Sequence, residues 1–386
     1  MPPSDSRGFR TRSIHAGQYR DEATGSVITP LFLTSTYEQP APGEHTGYEY
    51  SRSGNPTRAA FEACIANLEG ARYGFATASG NLATGTAMFL LKAGDHVVAS
   101  DDLYGGTVRL FDQLFTAFGI AFSYVDMTNI DNLRGAMQSN TRMVWVETPS
   151  NPLTKIIDIV AAAEIAHAHE ALLAVDNTFL SPAFQRPIEL GADLVVHSTT
   201  KYLGGHSDLV AGVMVTDDDA LGERLAYISN ALGIIQATFD AWLSLRSLKT
   251  LDVRMKAHER NALSLAQFLS DHDKVQRVYY PGLPSHPQHA LATRQMSGYG
   301  GMLSFDIKGG LDAARRVLQA TEVFTLAESL GGVESLIEHP ALMTHASMPQ
   351  AMREAAGLTD SLIRVSVGIE DVDDLKNDLE NALAHA

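Results

Sequence analysis

The segment Asp193–Tyr202 (DLVVHSTTKY) decides the fold, because an apolar run is followed at once by three small hydroxyl residues and a lysine. The run Asp193–His197 predicts a strand buried on both faces, which is typical of parallel sheets covered by helices on each side. Helical segments such as the alanine-rich Asp158–Glu170 separate this run from others. Four further apolar runs predict strands at residues 96–100, 142–147, 172–175 and 210–215. This alternation predicts an α/β fold with a mostly parallel sheet.

The pattern changes after about Leu248, where the alternation ends. Helices are predicted over residues 256–269, 312–324 and 371–384, and strands over 302–307 and 362–367. This order is typical of a smaller α+β domain. The first 50 or so residues carry many turn formers and no clear core helix. We therefore expect an N-terminal arm at residues 1–55, a large domain at 56–247 and a C-terminal domain at 248–386.

The composition describes an acidic chain of 386 residues with a net charge of −16 and a single cysteine, Cys64. Nucleic acid and anionic membranes require basic surface, so neither is expected as a partner. One cysteine excludes intrachain disulfides and zinc sites built from several cysteines, and no metal site is expected. The N-terminus lacks an apolar signal segment, and no apolar stretch is long enough to span a membrane. We therefore expect a cytoplasmic protein.

Polar side chains follow the predicted strands at their carboxyl ends, where α/β sheets bind ligands. Asp176 ends one apolar run, and Ser198, Thr200 and Lys201 follow another. The turn at residues 79–81 (SGN) opens a predicted helix whose first backbone N–H groups are free to bind a phosphate. Each feature alone is more often a helix cap, a turn former or a solvated lysine. Together they match pyridoxal phosphate, which needs a lysine amine, a carboxylate for its ring nitrogen and a phosphate cup.

Long motifs surround Lys201 and occur at residues 48–57 (YEYSRSGNPT), 102–107 (DLYGGT), 147–152 (ETPSNP) and 327–335 (AESLGGVES). In these motifs the chain resembles the Cys/Met-metabolism family of pyridoxal-phosphate enzymes, in register over nearly its whole length. The resemblance implies the fold-type I architecture of such enzymes, with a large cofactor domain and a smaller C-terminal α+β domain.

The resemblance also implies roles around the cofactor. Lys201 would bind the cofactor aldehyde and move protons, Asp176 would hold the ring nitrogen, and Tyr104 would stack on the ring. Position 81 departs from the family, which commonly has an apolar residue where this chain has Asn81. The other cofactor contacts implied are Gly80, Asn81, Thr178, Ser198 and Thr200, with Tyr50 and Arg52 from the neighbouring subunit. A homotetramer, built as a dimer of dimers with shared active sites, is therefore expected.

For the substrate, the resemblance implies that Arg364 binds the α-carboxylate, assisted by Asn151 and Ser329. An arginine within an apolar strand needs a partner in any case, so a purely structural ion pair at Arg364 stays open. The resemblance matches Glu49 and Arg109 to the pair near the far end of the substrate, and it matches Glu328 to the acidic residue found in γ-lyases and γ-synthases. For each of the three, an ordinary solvated side chain stays open.

The implied reaction is α,γ-elimination of L-cystathionine to L-cysteine, 2-oxobutanoate and ammonia, with release of hydrogen sulfide as a side activity. The alternative is γ-replacement on O-succinyl- or O-acetyl-homoserine with cysteine, and the motifs do not separate the two. Cystathionine β-elimination is less favoured because Glu328 stands where many β-lyases have a tyrosine. Methionine cleavage is less favoured because Gly106 replaces a cysteine of methionine γ-lyases. A nicotinamide-dependent dehydrogenase lacks its glycine fingerprint here, and a catalytically silent scaffold need not keep the site residues together.

Overall fold

The computed structural model describes residues 6–346, 353 and 357–386. In the first part of this range a seven-stranded sheet has the order β1-β7-β6-β5-β4-β2-β3. Its strands are β1 Tyr73–Thr77, β2 His96–Ser100, β3 Ala121–Val125, β4 Thr141–Glu147, β5 Leu172–Asp176, β6 Leu194–Ser198 and β7 Gly212–Thr216. The strands β2 to β6 pair in parallel, and β7 runs antiparallel to both β1 and β6. The expectation of an α/β fold with a mostly parallel sheet is confirmed.

Helices cover both faces of this sheet. One face packs Val98, Val144 and Val175 into a large apolar layer, and the other packs Met143 and Trp145. Among the described residues, no helix is long and apolar enough to cross a membrane. The helices of this part are α1 Phe9–His15, α2 Pro56–Glu69, α3 Gly80–Met88, α4 Gly105–Arg109, α5 Ile130–Ala136, α6 Ile159–Ala168, α7 Ser181–Phe184, α8 Asp219–Leu232 and α9 Thr238–Leu248. A π-helical turn, Leu110–Phe115, and 3₁₀ turns at Thr116–Phe118 and Pro187–Leu190 complete it.

A smaller sheet follows in the described residues after α9, with the order β10-β11-β12-β9-β8. Its core is a separate apolar cluster that includes Leu265, Phe305 and Val365. The strands are β8 Val275–Tyr279, β9 Met302–Ile307, β10 Thr325–Leu326, β11 Leu336–Glu338 and β12 Leu362–Ser366. The helices are α10 Leu251–Asp271, α11 His289–Gln295, α12 Gly310–Ala320 and α13 Val372–Leu383, and Pro340–Leu342 forms a 3₁₀ turn.

Two local features were not predicted from the sequence. The arm is not free of helix, because α1 packs on α2 and α10 and buries Ser13. The apolar run at residues 210–215 forms an antiparallel strand that begins at Gly212. A run buried on both faces is typical of parallel strands, but mixed sheets also bury antiparallel strands in this way, so the pattern does not single out this strand.

Asn55 links the arm to the large sheet region. Its side-chain oxygen accepts hydrogen bonds from the backbone N–H groups of Thr57 and Arg58, which caps α2. Pro56 stands in the first turn, where its missing N–H costs nothing. The amide nitrogen of Asn55 donates to the Phe32 carbonyl at 2.9 Å, and it also reaches Tyr37. One buried side chain therefore starts the helix and holds the arm.

We expect Asn55→Ala to lower the free energy of unfolding by about 1–2 kcal/mol, because the helix loses its cap. Asn55→Ser is the matched control, since its hydroxyl keeps a neutral acceptor for the cap and loses the amide donors to the arm. Urea unfolding should show the larger loss in Asn55→Ala, while limited proteolysis should cut the arm faster in both variants. Equal stability of Asn55→Ala and the wild type would contradict the capping role.

Candidate active site

A cavity of about 390 Å³ lies at the carboxyl ends of the parallel strands, where the α/β topology predicts a ligand. It brings together the sequence-predicted residues Gly80, Asn81, Tyr104, Asn151, Asp176, Thr178, Ser198, Thr200, Lys201, Glu328, Ser329 and Arg364. Its lining also includes residues to which sequence reasoning gave no role: Ser79, Thr84, Thr107, Glu147, Phe179, Val210, Leu330 and Thr344.

The first turn of α3 forms one end of the cavity. Ser79 caps this helix by accepting a hydrogen bond from the backbone N–H of Leu82. The N–H groups of Gly80 and Asn81 have no acceptor within the helix, because they belong to its first turn. Gly80 is required for close packing, because a Cβ at this position would lie 2.7 Å from the Cβ of Ser198. The helix end and the end of β6 therefore form a single cup that suits an anion.

Asp176 and Thr178 lie beside this cup. Asp176 accepts hydrogen bonds from the backbone N–H and the hydroxyl of Thr178, at 3.0 and 2.6 Å. The backbone N–H of Ser198 donates in turn to the Thr178 hydroxyl at 2.9 Å. The Thr200 hydroxyl exchanges hydrogen bonds with the backbone of Ala211. Burial raises the pKa of Asp176, and its hydrogen bonds from Thr178 oppose that rise.

Glu147 is a second carboxylate next to Asp176. The two residues are register partners at the ends of β4 and β5, and both line the cavity. Burial is the main cause that raises the pKa of Glu147 well above its ordinary value, and the charge of Asp176 adds to this effect. Glu147 also accepts a hydrogen bond from the backbone N–H of Tyr104 at 3.0 Å. The sequence signal was an acidic residue at the end of an apolar strand, the same signal that identified Asp176.

Tyr104 lines the cavity and is 40% exposed. Its partial burial raises the pKa of its phenol. Gly106 is required beneath this ring, because a Cβ there would lie 2.3 Å from Tyr104 Cε1 and 3.0 Å from the amide nitrogen of Asn81. A side chain at position 106 would therefore displace the tyrosine.

Lys201, Ser329 and Arg364 are joined in one chain of hydrogen bonds. The Lys201 amine donates to the Ser329 hydroxyl at 2.8 Å, and the Arg364 guanidinium donates to the Ser329 carbonyl at 2.6 Å. Ser329 has a φ of 88°, a left-handed value that is uncommon for a residue with a side chain. This one residue thus fixes the distance between an amine and a guanidinium, as an amino-acid substrate requires.

The Lys201 amine is set up to lose its proton. Burial, together with the positive charge of Arg364, lowers the pKa of Lys201 to about 8. The carboxylates of Glu338 and Glu328 act in the opposite direction. A neutral amine is the form that attacks an aldehyde and takes up a proton.

Arg364 lies in β12 and is almost fully buried. Its Nη1 atom lies 3.0 Å from the Glu338 carboxylate and donates to the Asn151 side chain at 3.0 Å. The partner expected for a buried arginine is therefore Glu338, which sequence reasoning did not identify. The signal was present as an acidic residue within the apolar run at residues 336–338 (LIE). Arg364 Nε finds no partner within the described residues, which leaves one edge of the guanidinium for a ligand.

Four of the sequence-predicted residues do not line the cavity of their own chain. Arg52 donates to the carbonyl of Asn230 at 2.5 Å, and its guanidinium lies 5.7 Å from the ring centre of Tyr50. Glu49 pairs with a nearby histidine at 3.3 Å. Arg109, at the end of α4, is outside the lining, although its charge lowers the pKa of Tyr104 against the larger effect of burial.

The described residues fit pyridoxal phosphate. The cup at Gly80 and Ser198 suits its phosphate, because both residues line the cavity and the first N–H groups of α3 have no acceptor within the helix. The buried Asp176 carboxylate suits the ring nitrogen, and the Lys201 amine suits the aldehyde. The open face of Tyr104 suits the flat ring.

We expect the apoprotein to capture pyridoxal phosphate at a rate that rises with pH and levels off above about 8, because only the neutral Lys201 amine attacks the aldehyde. A solvated lysine would titrate near 10.4 instead. Absorbance of the protein-bound cofactor, followed after mixing at each pH, gives the profile. Lys201→Arg is the control and should capture none, and a midpoint near 10 would contradict the assignment.

The sequence matches proteins whose families are known. The family described as Cys/Met metabolism PLP-dependent enzyme matches residues 10–384. A cystathionine beta-lyase from Coxiella burnetii is 56% identical, and a cystathionine gamma-lyase from Dictyostelium discoideum is 54% identical, each covering 97% of both chains. A crystal structure of cystathionine gamma synthase from Xanthomonas oryzae is 46% identical with a TM-score of 0.96, covering 98% of this chain and 98% of that one. The chain therefore belongs to the Cys/Met metabolism family of pyridoxal-phosphate-dependent enzymes.

Proposed function

We propose that this protein catalyses α,γ-elimination of L-cystathionine to L-cysteine, 2-oxobutanoate and ammonia. The observation that carries the proposal is one loop of the cavity, at residues 328–329. There Ser329 joins the Lys201 amine to the Arg364 guanidinium, and Glu328 places a carboxylate next to them. This arrangement suits a substrate that has an amino-acid head at each end.

Each residue has a role that follows from its position. Arg364 binds the α-carboxylate through its free guanidinium edge, with Asn151 holding the guanidinium from the other side. The Cα–H bond then lies near the Lys201 amine, which takes the Cα proton and serves again at Cβ. Tyr104, whose phenol keeps its proton at neutral pH, supplies a proton donor beside the departing sulfur.

The cofactor is held by the residues around the cup. Gly80, Asn81, Ser198 and Thr200 would bind its phosphate, and Asp176, oriented by Thr178, would hold its ring nitrogen. Pyridoxal phosphate bound there supplies an electron sink for the charge that develops at Cα.

The far end of the substrate would lie near charged side chains at the solvent-exposed side of the cavity. Glu328 lines the cavity, and its side chain is exposed, so it suits the second ammonium group. Arg109, and Glu49 from a neighbouring subunit, would complete contacts with the second head. A small substrate such as cysteine lacks that head, so release of hydrogen sulfide would be a side activity.

The synthase reaction is the second candidate, because the same residues move the same protons before a nucleophile adds. β-Elimination needs a direct test as well, since a relative that is 56% identical carries the name beta-lyase. Methionine cleavage is disfavoured, because the cysteine of methionine γ-lyases at position 106 would collide with the Tyr104 ring.

Product analysis separates the reactions. With L-cystathionine, we expect 2-oxobutanoate and cysteine from γ-elimination, whereas β-elimination gives pyruvate and homocysteine. Parallel reactions with cysteine plus O-succinyl- or O-acetyl-homoserine measure the synthase reaction. Faster turnover in those reactions, or pyruvate as the main oxoacid, would overturn the proposed γ-lyase activity. Lys201→Ala is the control for all of them and should be inactive.

We further propose a homotetramer, built as a dimer of dimers, in which Tyr50 and Arg52 enter the active site of a neighbouring subunit. Both residues lie outside the cavity of their own chain, and the arm that carries them exposes large apolar side chains. Val27 is 100% exposed and Leu33 is 73% exposed, which suits burial against a second copy. The division into arm, large domain and C-terminal domain fits this role, and we place the enzyme in cytoplasmic transsulfuration.

Mixed oligomers test the shared sites. Arg52→Ala and Lys201→Ala protomers should each be nearly inactive alone, and should regain about a quarter of the wild-type rate after unfolding and refolding together. The reason is that half of randomly formed dimers are mixed, and each mixed dimer has one intact site. The matched control is Lys201→Ala mixed with Asp176→Ala, which should regain nothing because both residues line the same cavity. No regain in the first mixture would exclude sharing of Arg52.

A further inference from the structure

Glu338 forms a buried ion pair with Arg364, the residue proposed to bind the substrate carboxylate. Glu338 ends β11 and lies directly opposite Arg364 in the antiparallel pairing with β12. Its carboxylate is 3.0 Å from Arg364 Nη1, and the side chains are 1% and 3% exposed. Two buried opposite charges in register form a fixed unit, because removing either one leaves the other unpaired away from water.

The remaining partners of the guanidinium show which edge is free. Nη1 is used by Glu338 and Asn151, and Nη2 donates to the Ser329 carbonyl. Nε finds no partner in the described part of the chain. The edge formed by Nε and Nη2 is therefore the one that can bind a carboxylate with two parallel hydrogen bonds.

Glu338 is itself held in place. The Thr344 hydroxyl donates to Glu338 Oε1 at 2.8 Å, and Thr344 lines the cavity. The Thr344 hydroxyl also lies 3.0 Å from the ring of the buried His345. Because Thr344 holds the Glu338 carboxylate, the carboxylate in turn holds the Arg364 guanidinium in place.

We propose that Glu338 is a positioning residue that orients the Arg364 guanidinium and offsets its charge, so that an amino-acid α-carboxylate binds at one edge and leaves again. The proposal rests on the assignment of Arg364 as the carboxylate-binding residue. It does not depend on which sulfur compound the enzyme cleaves. Without the offset, a buried unpaired guanidinium would hold every carboxylate product tightly.

Glycine and methylamine test this role in the holoenzyme. Both present an amine to the cofactor, and only glycine carries a carboxylate. The change in cofactor absorbance on titration gives a dissociation constant for each. The glycine constant divided by the methylamine constant isolates the carboxylate contact from any general change in the cavity.

Glu338→Gln keeps an oxygen acceptor for Arg364 and removes the charge. We expect the glycine constant to fall roughly ten- to a hundredfold further than the methylamine constant, because the lost charge affects both amines through Lys201 but affects a carboxylate only through Arg364. Glu338→Asp keeps the charge and withdraws the carboxylate by one methylene, so glycine should bind several-fold more weakly while methylamine changes little. Glu334→Gln is the matched control, because Glu334 loses the same charge but bonds to Ser207 outside the cavity.

Opposite shifts of the glycine constant in the two Glu338 variants would support the proposal. An unchanged glycine constant in Glu338→Gln, or equal shifts for glycine and methylamine, would overturn it. If Glu338→Gln does not fold, Glu338→Asp decides alone, and an unchanged glycine constant there overturns the positioning role. Failure to cleave cystathionine would contradict the proposed γ-lyase activity. The glycine and methylamine titrations would still test the role of Glu338, because they measure binding and not cleavage.

Discussion

The active site depends on the contact between the loop at residues 327–334 and the backbone around Lys201. Gly331 makes this approach possible, since it has a φ of +80° and a Cβ there would lie 2.6 Å from the backbone nitrogen of Tyr202. Ser329 then reaches Lys201 and Arg364 at once. The lysine follows a strand of the large sheet and the arginine belongs to the smaller sheet, so this loop brings the reacting groups together.

Burial of charge explains how an acidic chain makes a site for anions. The whole chain carries −16, yet the cavity contains Lys201 and Arg364. Because burial and a neighbouring cation both disfavour the protonated amine, Lys201 holds its proton weakly. Glu338 prevents Arg364 from pushing this effect further. The ion pair on the neighbouring sheet thus adjusts the pKa of Lys201, for which burial is the larger effect.

The sequence pattern predicted the strands that end at the site, and with them Asp176, Ser198, Thr200 and Lys201. Tyr104, Ser329 and Arg364 were expected only from the family resemblance. The strands at 96–100 and 302–307 have the expected bounds, because apolar runs between turn residues leave little freedom. Strand β1, which contains Gly74, was not predicted, since glycine weakens the strand pattern. The pairing of Glu338 with Arg364 depends on strand register, which single-sequence patterns do not specify. Whether Tyr50 and Arg52 enter the site of a neighbouring subunit likewise depends on the contact surface between subunits, which the sequence pattern of a single chain does not specify.

The interior of the cavity does not distinguish the reactions of this family. Relatives named beta-lyase, gamma-lyase and gamma synthase are 46–56% identical to the chain, and the synthase keeps the same fold with a TM-score of 0.96. Arg364 is buried and paired with Glu338, and Glu147 is buried next to Asp176, so packing and neighbouring charges fix both side chains. Glu328, Asn81 and Arg109 are exposed and have fewer such constraints. On the proposed function, reaction choice would depend on which part of the substrate meets Glu328 and Arg109 while Arg364 holds its α-carboxylate.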